Sequence, residues 1–191
     1  MDGGFGWVAG AAVLLLAVRD SVRWFRVRGL SMEPTLRDGQ LLLADRLTYR
    51  WLRRPRSGDV IVFCDPRRPG RALVKRVIAM PGETVEIAGG LVRIDRIPRH
   101  HPSTRIPSWL AWGPETVPPE HYFVLGDYQQ ASSDSLSWGF LPAGHVIGKV
   151  RPWPWGHRDR TAITAQIQGS RTCTKASRNR HMRTARHWAR S

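Results

Sequence analysis

The segment Gly29-Leu30-Ser31-Met32-Glu33-Pro34-Thr35-Leu36 and the later segment Val74-Lys75-Arg76-Val77-Ile78 supply a candidate serine nucleophile and a candidate lysine base. A serine hydroxyl attacks a carbonyl poorly until its proton is removed, and a lysine can remove it only while neutral. Of the 30 Lys+Arg residues only three are lysines: Lys75, Lys149 and Lys175. Arginine stays protonated and cannot serve as a general base, so a lysine kept in an arginine-biased chain is informative. Lys75 follows Ala72-Leu73-Val74 and precedes, past Arg76, Val77-Ile78-Ala79-Met80. Burial among such neighbours disfavours the ammonium and lowers the pKa. Pro34 ends regular structure after Ser31, which puts the serine on a turn. Alone, Ser31 reads as a turn serine beside a proline and Lys75 as a snorkelling strand lysine. Together they point to nucleophilic catalysis.

The elements that must position them are mostly short strands. Ser21 to Arg28 alternates apolar and basic residues. Gln40–Ala44, Val60–Cys64, Ala72–Met80, Tyr122–Leu125 and Val146–Val150 read as strands, and Lys75 lies on the third of these. Pro55–Asp59, Asp65–Gly70, Pro81-Gly82 and Gly126-Asp127 are turns. Glu83 to Ile94 reads as a hairpin turning at Gly89-Gly90. Residues 98–119 hold six prolines and no clean period, as in an extended surface excursion. The expected fold is mainly β, with a catalytic body over residues 21–155 that includes the hairpin and Pro-rich excursion at about 83–119.

Composition bounds the rest. The 191 residues allow one compact domain with appendages. The formal net charge is +15, and residues 157–191 carry nine of the basic residues with one acid, Asp159. No nucleic-acid-binding motif accompanies the charge, so no nucleic-acid partner is expected, and attraction to anionic lipid accounts for it equally well. Residues 156–191 lack apolar periodicity and read as a disordered basic tail. Cys64 lies in an apolar run and Cys173 in the tail, so neither a disulfide framework nor a metal site is expected. His100-His101 reads as solvated loop, and no metal or other cofactor is called for.

The run Gly4 to Val18 is the membrane signal. As a helix its fifteen residues span about 23 Å, short of the roughly 30 Å hydrocarbon core, but Trp7 at one end and Arg19, Arg23 and Trp24 at the other suit interfacial anchoring. Residues 1–20 are read as an N-terminal membrane anchor, with a buried globular helix as the alternative. The basic residues that follow would by charge alone keep the body in the cytoplasm.

Four blocks, from about Val27 to Val150, match one family in order and spacing. They are Ser31-Met32-Glu33-Pro34-Thr35-Leu36, then Gly58-Asp59-Val60-Ile61-Val62, then Lys75 to Gly82, and finally Gly126-Asp127 with Ser132-Ser133-Asp134-Ser135 and Trp138-Gly139. The chain resembles the type I signal peptidases, membrane-bound Ser-Lys peptidases that remove signal peptides from exported proteins. The resemblance implies Ser31 as nucleophile, Lys75 as general base and Ser132 as the residue that orients the lysine. It implies Gly29, Ser31 and Met32 as oxyanion or substrate-binding positions, the Ser31 N–H among them, and Arg76, Asp127 and Asp134 as structural supports. Gly29 stands where some relatives carry a second, hydroxyl oxyanion donor. It further implies acyl transfer through an acyl-enzyme, Ala-x-Ala-like cleavage sites, preprotein signal peptides and membrane lipids as partners, and a single-pass protein with its catalytic domain outside the cytoplasm. The four motifs outweigh the contrary charge bias.

The last block departs from the family pattern. Tyr128-Gln129 replaces the usual Asn-Arg, and Leu136 replaces an arginine two residues after Asp134. Asp127 keeps Arg76 as an available partner, whereas Asp134 loses its local arginine, and the loop bearing Ser132 is expected to be less rigid. A maturation peptidase with one dedicated substrate, and a catalytically degenerate membrane-bound binding module, are the alternatives.

Overall fold

The computed structural model describes residues 21–99, 103–152 and 167–168. The expected anchor over residues 1–20, the pair His100-His101 and most of the tail lie outside the described residues. Among the described residues, no helix is long and apolar enough to cross a membrane. The architecture is mainly β.

The alternating segment after Ser21 forms β1 (Val22–Arg26), antiparallel to β2 (Leu41–Asp45) from Val22↔Asp45 to Arg26↔Leu41. Between them the chain loops out through Ser31 and is pinched shut at its neck. There the Val27 N–H donates to the Gln40 carbonyl (2.8 Å) and the Gly39 N–H to the Val27 carbonyl (2.9 Å). The β-branched run becomes β3 (Val60–Cys64), and the Lys75 run becomes β4 (Arg71–Ala79), paired antiparallel from Val60↔Arg76 to Cys64↔Ala72. All of β4 after Arg71 is buried, which is why it reads as a continuous apolar stretch rather than an alternating one.

The hairpin is β5 (Thr84–Ala88) and β6 (Leu91–Ile94), with Gly89 (φ 58°) and Gly90 (φ 78°) supplying the two left-handed residues a tight turn demands. The Pro-rich excursion holds more order than its sequence suggests: β7 (Ile97–Arg99) and β8 (Trp112–Thr116) flank the hairpin in a second sheet of order β7-β6-β5-β8. Both are almost wholly exposed, so no apolar alternation marks them. The chain then returns as β9 (His121–Leu125), a one-turn helix α1 (Ser135–Trp138), β10 (Leu141–Pro142) and β11 (Val146–Pro152). The main sheet has the order β1-β2-β11-β3-β4-β9-β10.

Two expectations about the tail and cysteines need correction. Ile167–Gln168 form β12, antiparallel to β4 at Ile167↔Ala72 and Gln168↔Arg71, so part of the tail is ordered against the sheet. Cys64 is disulfide-bonded, contrary to the expectation of no disulfide. Separation along the sequence does not measure distance in space, and β12 shows the tail returning to the strand beside β3.

Apolar clusters lie on both faces of the main sheet. Phe25, Val27, Met32, Leu36, Leu42, Val62 and Val74 form one. Ile61, Phe63, Leu73, Val77, Tyr122 and Val124 form another. Ile78, Val85, Ile87, Phe123 and Leu125 weld the second sheet to the first.

Asp59, in the turn before β3, is a polar hub beneath this core. It accepts from Arg53 Nη1 (2.7 Å) and Nη2 (3.0 Å), Lys149 Nζ on β11 (2.8 Å), Tyr49 Oη (2.9 Å) and the Arg56 N–H (3.1 Å). Burial works to raise its pKa, but the bonds from Arg53 and Lys149 outweigh burial and hold the carboxyl well below its ordinary 3.8. A carboxylate with a depressed folded pKa stabilises above its unfolded pKa and loses that contribution as pH falls. Asp59→Ala is expected to lower the urea-unfolding free energy by about 2–4 kcal/mol at pH 7, with the difference from wild type shrinking below about pH 4. Matching urea midpoints at pH 7 would remove Asp59 as the hub.

Candidate active site

The turn carrying Ser31 and the strand carrying Lys75 meet on one side of the main sheet. Lys75 Nζ lies 2.7 Å from Ser31 Oγ, hydrogen-bonded to it. Ser31 is 4% exposed and Lys75 2%. Burial is the main influence on the lysine. It lowers the pKa from 10.5 to about 8 against the opposing pull of Asp134 and Asp127, with Arg71 adding to the lowering. An amine with that affinity has a substantial neutral fraction near pH 8 and a lone pair within reach of the hydroxyl proton.

Two buried acids brace the pair. Asp127, two residues beyond the end of β9, receives Arg76 Nη2 (2.6 Å) and Nε (2.8 Å). Arg76 also reaches the Gly58 carbonyl (3.0 Å) and Thr35 Oγ1 (2.9 Å), so one guanidinium ties β4, the turn before β3 and the Ser31 loop to the end of β9. The Tyr128 N–H donates to the Ser31 carbonyl (3.1 Å), which locks the backbone of Ser31 to the same place.

Ser132, expected to aim the lysine through a direct bond, instead donates to Asp134 Oδ2 (2.5 Å). Its hydroxyl proton is taken up by the nearest charged acceptor. Asp134 also caps α1 by accepting from the Leu136 N–H (3.2 Å), and it accepts from the Gly126 N–H (2.8 Å) and Gln129 Nε2 (2.8 Å). The loop around Ser132 is therefore anchored without the family's arginine, against the expectation that it would be looser. Gln129, one of the departures noted in the sequence, is the residue that substitutes.

Gly29 has φ 93°, a conformation glycine adopts without strain, and its N–H is taken by Asp38 Oδ1 (2.5 Å). Its backbone donor is thus committed to shaping the loop. Among the described residues the Ser31 N–H has no acceptor, which leaves it free for an oxyanion. Met32 is buried, and with Val27, Arg28, Ala72, Leu73 and Val74 it lines a small cleft that opens on Ser31 and Lys75. Asp38 had no signal in the sequence because its bond to Gly29 appears only once the Ser31 loop has closed, and Thr35, though within the Ser31 block, acts through Arg76, 41 residues on. No cluster of three or more His, Cys, Asp or Glu side chains suited to a metal occurs among the described residues.

The family model described as signal peptidase, peptidase S26, matches residues 5–155. The chain is 38% identical over 154 residues to a signal peptidase I of Leptolyngbya laminosa, covering 75% of each protein. It is 34% identical to a probable signal peptidase I-2 of Synechocystis sp., covering 75% of this chain and 69% of that one. It is also 34% identical to a mitochondrial ATP-independent inner membrane protease subunit 1b of Arabidopsis thaliana, covering 66% of this chain and 68% of that one.

The closest approach in the site is at Gly126. A Cβ there would collide with Ser132 Oγ and stand 2.6 Å from the Ser31 carbonyl oxygen, forcing the two serine loops apart. Displacements near 1 Å slow catalysis by about a hundredfold. Gly126→Ala is expected to slow acylation of Ser31 by an activated ester at least about tenfold, measured as burst kinetics, with the far-ultraviolet circular dichroism unchanged. An unchanged burst rate would mean that this contact does not hold Ser31 in place.

Proposed function

This chain belongs to the signal peptidase family, peptidase S26, whose members are serine endopeptidases that remove signal peptides, and we propose that it works through a Ser31–Lys75 dyad at the membrane surface. The observation that carries the reading is the buried lysine amine 2.7 Å from the serine hydroxyl. Neutral Lys75 takes the Ser31 proton as Oγ attacks the scissile carbonyl. The Ser31 N–H stabilises the oxyanion. The ammonium so formed protonates the departing amine, and the lysine, neutral again, activates the water that hydrolyses the acyl-enzyme. A degenerate binding module would have no use for a desolvated lysine, so the dyad favours the enzyme over that alternative.

The substrate lies extended along the edge of β4. On one edge β4 pairs with β3, and on the other with β9 only from Arg76 onward. Leu73 to Lys75 therefore keep an unpaired edge among the described residues, facing the cleft. β12 pairs with the neighbouring Arg71 and Ala72, which supports the view that this edge accepts an added strand. The apolar cleft walls suit short side chains, consistent with Ala-x-Ala-like sites. Residues 1–20 anchor the chain as a single span and residues 21–155 form a catalytic body on the extracytoplasmic face. The apolar run Gly4 to Val18, three residues before Ser21, and the inner-membrane protease among the relatives support that arrangement.

The test is cleavage of a preprotein bearing an Ala-x-Ala site, by full-length protein in detergent, beside Ser31→Ala and Lys75→Ala. Cleavage by wild type is expected, with both variants at least about a thousandfold slower. Cutting that survives Ser31→Ala would overturn the dyad. Because the base must be neutral, kcat/KM is expected to rise about tenfold per pH unit up to roughly pH 8 and then level. A flat profile between pH 6 and 8 would remove Lys75 as the base.

A further inference from the structure

Two buried carboxylates act on Lys75, and the protein treats them differently. Asp127 is neutralised by a two-pronged ion pair with Arg76. Asp134 is 1% exposed, yet its partners are all neutral: the Gly126 and Leu136 N–H groups, Ser132 Oγ and Gln129 Nε2. No described lysine or arginine pairs with it. Gln129 Nε2 donates to the Gly126 carbonyl as well (2.8 Å), so this amide bridges the end of β9 to the Ser132 loop. A carboxylate held by neutral dipoles keeps its field, and in a low-dielectric interior that field reaches a nearby amine with little screening.

We propose that Gln129 is a positioning residue of the active site: its amide fixes Asp134 and the Ser132 loop without placing a cation beside the carboxylate, so that Asp134 is left to act on Lys75. The inference rests on the reading of Lys75 as general base. The charged groups around the lysine are few. Asp134 and Asp127 favour its ammonium, Arg71 on the same strand opposes it, and Arg28 lines the shared cleft from the Ser31 loop. With Arg76 bound to Asp127, Asp134 is the carboxylate whose influence depends on what holds it. A cation at position 129 would offset that influence and leave the lysine neutral at lower pH. An anion there would do the reverse.

The three-lysine composition makes the test direct. Full-length protein carrying 13Cε-labelled lysine is titrated by NMR, with Lys75 assigned by Lys149→Arg and Lys175→Arg. The Lys75 midpoint is expected to fall by about half a unit or more in Gln129→Arg, rise comparably in Gln129→Glu, and stay near wild type in Gln129→Met. The acid limb of kcat/KM should move with it. Gln129→Met, which loses both amide bonds, should lower kcat severalfold. Equal midpoints in the Arg and Glu variants, with both folded, would overturn the electrostatic role, and an unchanged kcat in Gln129→Met would overturn the positioning role. Midpoints that follow the charge while the acid limb stays put would strike at Lys75 as base rather than at Gln129.

Discussion

The structure turns on keeping one amine dry beside one hydroxyl. Moving Lys75 from 10.5 to about 8 corresponds to about 3 kcal/mol of differential interaction between its two protonation states. That is a sizeable share of the stability of a small domain, so the penalty has to be carried by the surrounding packing. It also decides how much of the amine is free to act as the proposed base. At pH 7 an unperturbed lysine would be neutral in roughly one molecule in three thousand, whereas one shifted to about 8 is neutral in about one in ten.

The sheets meet this demand by placing the lysine on the strand with the deepest burial. β4 is flanked by β3 and β9 and covered by apolar residues on both faces. Arg76, the next residue, could not be left in such surroundings without a counter-charge, and Asp127 supplies it. One guanidinium thereby solves its own burial and fixes the Ser31 loop and the end of β9 relative to the lysine. The second sheet buries Ile78 and Ala79 beyond the lysine, closing the far half of β4 from water.

How far the sequence reveals this depends on whether a feature is local. The strands around Lys75 were legible because continuous apolar runs and Gly/Pro turns encode them directly. The juxtaposition of Ser31 and Lys75 was suggested by residue chemistry and motif order, and the apolar neighbours of Lys75 already foretold its desolvation. What escaped depends on partners far along the chain or on exposed strands without alternation. β7 and β8 follow from pairing with the hairpin rather than from their own pattern. The Thr35 bond to Arg76 spans 41 residues, and the Asp38 bond to Gly29, nine residues apart, depends on a loop shape that composition does not encode. Motif position marks Ser132 as a lysine partner because it identifies a residue and not the direction of its hydroxyl. Gln129 was visible only as a departure, and its gain, a bond to Asp134, needed the folded loop to appear.

The pairing of β4 also bears on where a peptide would be cut. β12 takes the edge at Arg71 and Ala72, and β9 takes it from Arg76. A segment added along the intervening edge can run no further than Lys75 before it meets β9. The strand register therefore brings such a segment to an end beside the Lys75 amine, the base of the proposed dyad. In the proposed binding mode, position along the chain would be selected by backbone pairing, which is indifferent to side chains, and the small cleft would then screen which side chains reach the reacting carbonyl. If a substrate adds to this edge, such a fold would process many different sequences at one defined point, provided the residues entering the cleft are small.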